Sequence, residues 1–238
     1  MLVFALGMAG GVGRLFDNSF FTHLATGRLI FDSGFPRTDP YTFTSAGDSW
    51  FPQSWLASVL YAGVEKVGEG GALRLQFGIT AGVLAALGWA LTRAAGHPLR
   101  RAFAVAPFLA VGILSWTHRP YLLAYVCLAA TLLVAQRQLD RRWLLLAGWV
   151  WLNVHGSWPL GLAAAATFWI GRRLDKEDTT AERDAFTWLG LGLLLGSLNP
   201  YGPRLLTFPL VAFERREVFT QITEWKPPTF DEPGQLTF

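Results

Sequence analysis

ALRLQFGITAGVLAALGWALT, residues 72–92, is the stretch that decides the fold of this chain. Its only charged side chain is Arg74, and its length is close to the ~20 residues that a helix needs to cross the hydrocarbon of a bilayer. The whole chain of 238 residues is 52% hydrophobic and only 16% charged. A soluble domain usually carries about 25% charged residues, so the composition indicates an integral membrane protein whose partner is the lipid bilayer.

Other apolar stretches precede and follow this one, and each is a shorter candidate for a membrane crossing. A helix of ~12 residues covers only about 18 Å, so the shortest candidates need a thinned bilayer or a water-filled cavity at one end. The sequence predicts an all-α, polytopic transmembrane helical bundle that forms a single domain over residues 1–238. The further candidate spans are Met1–Leu15, Ala102–Thr117, Pro120–Ala135, Trp143–Asn153, Pro159–Ile170 and Phe186–Leu198.

Basic residues divide the connections between these spans into two sets. Short cytoplasmic loops are enriched in Lys and Arg, so the basic set is predicted to be cytoplasmic and the other set external. The charged run from Arg172 to Asp184 belongs to the cytoplasmic set and is predicted to be a solvated loop. The other basic residues of that set are Arg93, Arg100, Arg101, Arg137, Arg141 and Arg142, and the external set contains His118, Arg119 and residues 154–158.

Residues 17–71 form the predicted first external loop, which holds two interfacial helices. The segment Trp55–Val67 is short and contains charged residues, and a crossing there would move the arginines of residues 93–101 to the external side. Ser54 is its predicted N-cap, and the glycine-rich run 68–71 is predicted to end it. The other helix covers Ser19–Asp32, and Gly34 is expected to stop it. Its apolar side is predicted to consist of Phe20, Phe21, Leu24 and Phe31.

Asp17 is the strongest candidate for a catalytic residue, because it directly follows the first span. A carboxylate at the membrane edge is costly to desolvate, so we expect burial to raise its pKa and let it act as a general base toward a hydroxyl. The alternative is that Asp17 caps the helix that begins at residue 18 or 19. Both interpretations stay open from the sequence.

Two nearby residues, His23 and Asp39, are candidate substrate-binding groups. Together with Asp17 they could hold a divalent metal, but their spacing is not diagnostic, so neither a metal nor another cofactor is predicted. The alternatives are an interfacial histidine for His23 and a turn residue for Asp39, which precedes Pro40.

The remaining candidates for substrate binding lie further along the external set. Arg119 and Arg204 could bind a phosphate or reach toward lipid headgroups. Asn153 and His155 could bind sugar hydroxyls or a phosphate, or could form hydrogen bonds between helices. Glu224 and Trp225 could hydrogen-bond and stack on a sugar ring, or Trp225 could be an ordinary interface aromatic. Asn199 completes this set of candidates.

Several functional classes have no support in the sequence. The chain contains none of the G-x-S-x-G, Walker-type or H-E-x-x-H motifs, and its one cysteine, Cys127, allows neither an internal disulfide nor a thiolate cluster. The formal charge of +3 is small and the basic residues are dispersed, so nucleic acid is not an expected partner.

A series of short motifs extends over nearly the whole chain and resembles the GT-C glycosyltransferases and related polytopic bacterial membrane proteins. Their order and spacing carry the resemblance. The motifs are Asp17 with Phe20-Phe21-Thr22-His23-Leu24-Ala25-Thr26-Gly27-Arg28, Pro36-Arg37-Thr38-Asp39-Pro40, Trp50 with Ser54-Trp55-Leu56, Arg119-Pro120, Trp151-Leu152-Asn153-Val154-His155-Gly156, Asn199-Pro200-Tyr201-Gly202 and Glu224-Trp225.

This resemblance implies a multi-pass protein of the bacterial inner membrane that transfers a sugar from a polyprenyl-phosphate donor to an acceptor hydroxyl at the external face. It also implies an acidic catalytic base in the first external loop, and Asp17 is the matching position. Arg119, His155 and Arg204 are our candidates for the lipid phosphate on chemical grounds. GT-C enzymes are usually longer, so the chain is expected to be the N-terminal part of a larger membrane domain.

Two other functional classes remain as alternatives. A transporter or flippase would use intramembrane polar residues as a substrate path, although the sequence has no convincing internal repeat. A non-catalytic subunit of a membrane assembly would use the interfacial helices for docking.

Overall fold

The computed structural model describes residues 1–13, 15–214 and 217, and the described residues are helical apart from turns and one isolated bridge between Thr38 and Ser49. The all-α class is therefore confirmed. A 3-10 turn covers Thr92–Ala95. The helices are α1 (Leu2–Gly11), α2 (Asn18–Ser33), α3 (Trp55–Leu91), α4 (Pro98–Ser115), α5 (Tyr121–Ala135), α6 (Trp143–Val154), α7 (Pro159–Leu174), α8 (Thr180–Gly196) and α9 (Arg204–Glu214).

Helix α3 contains a break at the predicted glycine run. Gly68 is extended, and Glu69 has φ +53° and ψ −149°, so helical geometry stops there and resumes at residue 70. A straight helix over the whole of α3 would be about 55 Å long at 1.5 Å per residue, well beyond the ~30 Å of bilayer hydrocarbon. The break separates the predicted interfacial piece, residues 55–67, from the apolar piece, residues 70–91.

Helix lengths alone do not make this chain a polytopic bundle. Among the described residues, the stretch Trp55–Ala95 is the one helix long and apolar enough to cross a bilayer. Helices α1, α5 and α6 are apolar but shorter. The core helix of a soluble protein can be equally long and apolar.

Helix α1 packs antiparallel against the apolar piece of α3 through small residues. A Cβ atom built on Gly11 would lie 2.7 Å from the Cβ of Ala81, and one built on Gly78 would lie 3.1 Å from the carbonyl oxygen of Met8. The spacings Gly7-x-x-x-Gly11 and Gly78-x-x-x-Gly82 are typical of closely packed membrane helices. Both motifs are visible in the sequence, although their pairing is not.

Helix α2 lies on the interfacial piece of α3, and its apolar side differs from the predicted one. Phe20 and Leu24 are buried as expected, whereas Phe21 and Phe31 are exposed. The face that meets α3 continues through Gly27, where a Cβ would lie 1.9 Å from the carbonyl oxygen of Ser58. Contact at positions 20, 24 and 27 follows the helical period, and Phe21 falls outside that stripe. Phe31 continues the stripe beside Gly63 but stays exposed, with Lys66 over its ring.

The connections gather at two opposite ends of the helices, and each end has its own chemistry. We call one the site end: it carries residues 11–13, 15–18, 115–120, 154–158 and 197–202, joined by contacts such as Arg119 Nε to Asp17 Oδ2 at 2.6 Å. We call the other the arginine end: it carries residues 92–98, 135–143 and 175–180, joined by ion pairs such as that of Arg137 with Asp178. This grouping agrees with the two sets read from the basic residues.

The run Arg172–Asp184 is not a solvated loop, which corrects the sequence-based prediction. Helix α7 continues to Leu174, and α8 begins at Thr180. Glu182 lies in the first turn of α8 and is only 2% exposed, because its carboxylate packs beneath Arg172 of the preceding helix. An acidic residue in a first turn is also favoured by the positive end of the helix dipole.

Candidate polar site at one end of the bundle

Asp17 lies at the site end, where one of its carboxylate oxygens caps a helix and the other pairs with an arginine. Its Oδ1 caps α2 by accepting hydrogen bonds from the backbone N–H groups of Ser19 at 2.8 Å and Phe20 at 3.3 Å. Its Oδ2 accepts a hydrogen bond from Nε of Arg119 at 2.6 Å, and the carboxylate is almost completely buried. The N-cap interpretation is confirmed, and Arg119 is brought from the start of α5 into the same site.

The expected rise in the pKa of Asp17 is wrong. Burial raises the pKa of Asp17, but the hydrogen bond and charge of Arg119 and the two backbone N–H groups together lower it below 3.8. These donors all favour the charged form of the carboxylate. Asp17 is therefore a permanently ionised group near neutral pH and a weak base while Arg119 is bound to it.

Two predicted histidines, His23 and His155, lie within electrostatic reach of each other and of this ion pair. Burial, with smaller contributions from His155 and Arg119, lowers the pKa of His23 to about 4, although the charge of Asp17 opposes this effect. Nδ1 of His23 lies 3.3 Å from Oγ of Ser58. Asp17, His23, Arg119 and His155 are thus brought together at one end, as the sidedness of the sequence predicts.

The contacts of His155 fix its tautomer. Its Nδ1 accepts a hydrogen bond from the backbone N–H of Ser157 at 3.2 Å, and Oγ of Ser157 lies 2.8 Å from the same nitrogen. A backbone N–H can only donate, so Nδ1 carries no proton. Burial lowers the pKa of His155, so the ring is neutral near pH 7 with its proton on Nε2.

His118 adds a third buried imidazole on the other side of Asp17. It is 4% exposed and packs edge-on against Phe77 with ring centroids 4.4 Å apart. Burial lowers the pKa of His118, although the charge of Asp17 opposes this effect. A hydrogen bond with the backbone of Gly11 opposes it as well, and neither ring nitrogen has a side-chain partner among the described residues.

Further buried polar atoms without partners lie at the same end. Buried polar groups in proteins normally have a protein or water partner, so a group of unpaired ones indicates bound water or a polar ligand. Sequence reasoning missed these residues, although Gln53 and Tyr201 stand inside motifs that carried the resemblance. The atoms at this end without a partner in the described structure are Nε2 of Gln53, Nε1 of Trp158, Oγ of Ser197 and the hydroxyl of Tyr201.

Asn153 and Asn199, two predicted substrate-binding residues, are engaged within the protein. Asn153 is fully buried: its Oδ1 accepts from Nε1 of Trp55 at 2.8 Å, and its Nδ2 donates to two carbonyl oxygens of α6 and α8. Nδ2 of Asn199 donates to the carbonyl oxygens of Gly196 and Gly202, which closes the turn after α8. Asn153 therefore joins helices, the alternative considered above, and Asn199 shapes a turn.

The other predicted residues lie outside this group. Both carboxylate oxygens of Asp39 accept hydrogen bonds from its own turn, from the backbone of Tyr41 and from the backbone and hydroxyl of Thr42. Arg204 is exposed at the start of α9. Glu224 and Trp225 lie outside the described residues.

The described residues contain no group of three or more His, Cys, Asp or Glu side chains positioned to hold a metal ion. Comparison of the chain with protein-family models, with curated proteins and with solved structures gave no match.

Proposed function

We propose that this chain is a multi-pass membrane protein whose site end faces the external side. Large apolar side chains point outward from the middle of several helices, which suits contact with lipid tails rather than water. Arginines concentrate at the other end, as the positive-inside rule expects of a cytoplasmic face. The exposed apolar residues include Leu75, Ile79, Phe103, Phe108, Leu146, Leu160, Leu191 and Leu194.

Within this arrangement we propose a glycosyltransferase that moves a sugar from a polyprenyl-phosphate donor to an acceptor hydroxyl. The oxygen of the acceptor attacks the anomeric carbon, the bond from that carbon to the phosphate oxygen breaks, and polyprenyl phosphate leaves. Asp17 takes the proton of the hydroxyl, and Arg119 stabilises the negative charge of the leaving phosphate. The observation that carries this proposal is the buried Asp17–Arg119 pair at 2.6 Å, with its neighbouring histidines at one end.

The low pKa of Asp17 is compatible with its role as a base if the donor changes the partner of Arg119. Arginine binds phosphate through the same N–H groups that it offers to a carboxylate. When Arg119 turns to the phosphate, Asp17 loses the hydrogen bond and the charge that lower its pKa, and burial then raises it. Donor binding would in this way activate the base only when the sugar is present.

The neutral histidines near the pair and the unpaired polar atoms of the site end suit a sugar. Sugar hydroxyls donate and accept hydrogen bonds, and neutral imidazoles offer one donor and one acceptor each. His23 and His155 lie close enough to interact electrostatically, so both are candidates to hold the sugar next to Asp17.

The test is a transfer assay with membranes that contain the full-length protein and radiolabelled polyprenyl-phosphate sugars. We expect label to pass to an acceptor with the natural protein and not with Asp17→Asn, because asparagine can cap α2 but cannot take the proton. Asp39→Asn is the matched control, since that carboxylate serves only its own turn. Turnover retained by Asp17→Asn would reject the role of Asp17 as the base.

The same assay separates the alternatives. A flippase would move the labelled lipid across the bilayer without breaking its sugar–phosphate bond. A docking subunit would do neither on its own.

A further inference from the structure

A cavity of about 580 Å³ opens at the arginine end, far from the site described above. Its walls come from the turn after α3, the C-terminal end of α5, and helices α7 and α8. A volume of this size is within the range of sites that bind small molecules or headgroups. Its charged lining residues are Arg93, Arg137, Arg172 and Glu182.

Glu182 is the unusual member of this lining. Its Oε1 pairs with Nε of Arg172 at 2.7 Å, but its buried Oε2 has no hydrogen-bond partner in the described structure. Among the described residues, it is the one buried side-chain atom at the arginine end that lacks a partner. A buried carboxylate oxygen without a donor is costly, so this position favours a ligand that brings a cationic N–H group.

Arg172 can move aside to expose this oxygen. Its side chain is 47% exposed and has a second carboxylate partner in Glu177 on the same side of the cavity. Rotamer changes of exposed side chains are fast and inexpensive compared with movements of the core.

Arg93 supplies the complementary charge on the rim. It is exposed, and no ion pair or side-chain hydrogen bond of Arg93 is found in the described part of the chain. Guanidinium groups at a membrane surface are well suited to phosphate. The cavity therefore offers a place for an ammonium group at Glu182 and a place for a phosphate at Arg93.

A second, apolar groove continues from this cavity toward the site end between α3, α4 and α5. It has a volume of about 670 Å³, and Leu132 lines both spaces. Thr92, at the end of the groove, directly precedes Arg93 in the chain. Its walls are formed mainly by apolar side chains such as Leu84, Val105, Phe108, Val111 and Leu128.

We propose that the cavity and the groove together bind one aminophospholipid of the cytoplasmic leaflet, with its ammonium at Glu182, its phosphate at Arg93 and one acyl chain in the groove. The unpaired oxygen of Glu182 favours a headgroup that carries an ammonium over a purely anionic one. It also disfavours choline headgroups, whose nitrogen has no N–H to donate. The continuous apolar groove favours a lipid over free phosphoethanolamine. This inference rests on the membrane orientation proposed above but not on glycosyl transfer.

The test uses delipidated, detergent-purified protein and native mass spectrometry with four lipids of identical acyl chains. The headgroups are ethanolamine, its N-methyl and N,N-dimethyl forms, and choline. The charge is constant along this series, and each added methyl group replaces one N–H donor until choline has none. We expect the first three lipids to bind similarly and the choline lipid about tenfold more weakly, as for the loss of a hydrogen bond to a charged group. Equal binding of ethanolamine and choline lipids would overturn the proposal.

Glu182→Gln should abolish the preference for ethanolamine over choline. The NH2 group that replaces Oε2 cannot accept a hydrogen bond, while the remaining oxygen can still bind Arg172. Arg100→Gln is the matched control: an exposed arginine of the same end that does not line the cavity, for which we expect no change. If Glu182→Gln fails to fold, Arg93→Gln takes its place. This variant should weaken the binding of all four lipids while keeping the ratio of their affinities. An unchanged affinity of Arg93→Gln would contradict the phosphate position.

Soluble phosphoethanolamine serves as a competitor in the same measurement. If it displaces the lipid at equal concentration, the ligand is a free metabolite and the assignment to a lipid is wrong. Lipid binding and sugar transfer are measured separately. A failed binding prediction would therefore leave the result of the transfer assay standing, and a failed transfer assay would leave the ratio of lipid affinities standing.

Discussion

Asp17 at the site end and Glu182 at the arginine end are both nearly buried carboxylates that pair with an arginine, yet their surroundings differ. Both oxygens of Asp17 are engaged, one by the N-terminus of α2 and one by Arg119. Glu182 has one oxygen bound to Arg172 and one without a partner. Asp17 is thus held by the fold through both of its oxygens, whereas Glu182 keeps one oxygen for a donor, which becomes accessible when Arg172 turns to Glu177.

The histidines make the second difference between the two ends. His23, His118 and His155 surround the site end, and burial lowers the pKa of each. His97, the histidine of the arginine end, is exposed at the start of α4. The site end therefore combines a closed Asp17–Arg119 ion pair with neutral donors and acceptors, which suits a polar uncharged group. The cavity of the arginine end has an unpaired carboxylate oxygen and an arginine on its rim, which suits a zwitterion.

The largest expected effect is that each carboxylate variant changes one readout and leaves the other unchanged. Asp17→Asn should lower sugar transfer by at least about a hundredfold, the usual contribution of a general base, and leave the preference for ethanolamine lipids intact. Glu182→Gln should abolish the preference for ethanolamine lipids and leave sugar transfer intact. The measurements are the transfer assay and the lipid series on the same two purified variants.

This comparison fails if either variant changes both readouts by similar factors. Such a result would mean that the two ends are coupled through the helices or that both substitutions simply unfold the protein. Circular dichroism and elution as a single species distinguish these two explanations.

The second prediction concerns the arginine partners. Arg119→Met leaves Asp17 buried without its main charged donor, and breaking a pair of this kind costs about 3 kcal/mol. Arg172→Met should cost less, because Arg172 is half-exposed and solvent already screens its charge. Urea unfolding in mild detergent at pH 7.5 measures both, with Arg119→Lys as the control that keeps the charge. Equal losses for the two methionine variants would remove the distinction between the pairs.

The positions of the helices were largely predictable from local sequence. Helix α6 begins at Trp143 and α7 at Pro159, as predicted, because apolar runs between charged or proline-containing turns define them. The break in α3 falls at Gly68, the first residue of the predicted stop. These features depend on neighbours in the chain and so are visible in it.

The contacts that build the site were not predictable from local sequence. Asp17 and Arg119 are 102 residues apart, and their pairing depends on how α2 and α5 pack at one end. The pKa of Asp17 was predicted in the wrong direction because its donors were unknown. Glu182 was assigned to a solvated loop, because the sequence does not distinguish an acidic first turn that faces water from one that another helix covers.

The third prediction is that acid destabilises the site end first. The pKa of His23 falls from 6.5 in the unfolded chain to about 4 in the folded one, so between these values the unfolded state binds a proton that the folded state does not. Stability should therefore decrease by about 1.4 kcal/mol for each pH unit between pH 6.5 and 4, with His118 and His155 adding in the same direction. Asp17 contributes only further down, since its lowered pKa makes its contribution disappear as the pH falls below 3.8.

Urea unfolding at pH 7.5, 6.5, 5.5 and 4.5 measures this slope. His23→Gln should flatten it, because glutamine keeps a polar group next to Ser58 and does not titrate. A slope that survives His23→Gln in full would assign the acid sensitivity to other groups.

The smallest expected effect isolates the capping role of Asp17 from its charge. Asp17→Ala and Asp17→Asn both remove the negative charge, but only asparagine can still accept from the N–H groups of Ser19 and Phe20. The alanine variant should therefore be less stable than the asparagine variant by about 1 kcal/mol. Ser54→Ala provides the contrast, since Ser54 occupies the N-cap position of α3 without a side-chain cap bond, so no capping energy is lost there. If the two Asp17 variants unfold at the same urea concentration, the buried carboxylate is held by Arg119 alone, and α2 would be free to shift when that arginine turns to a phosphate.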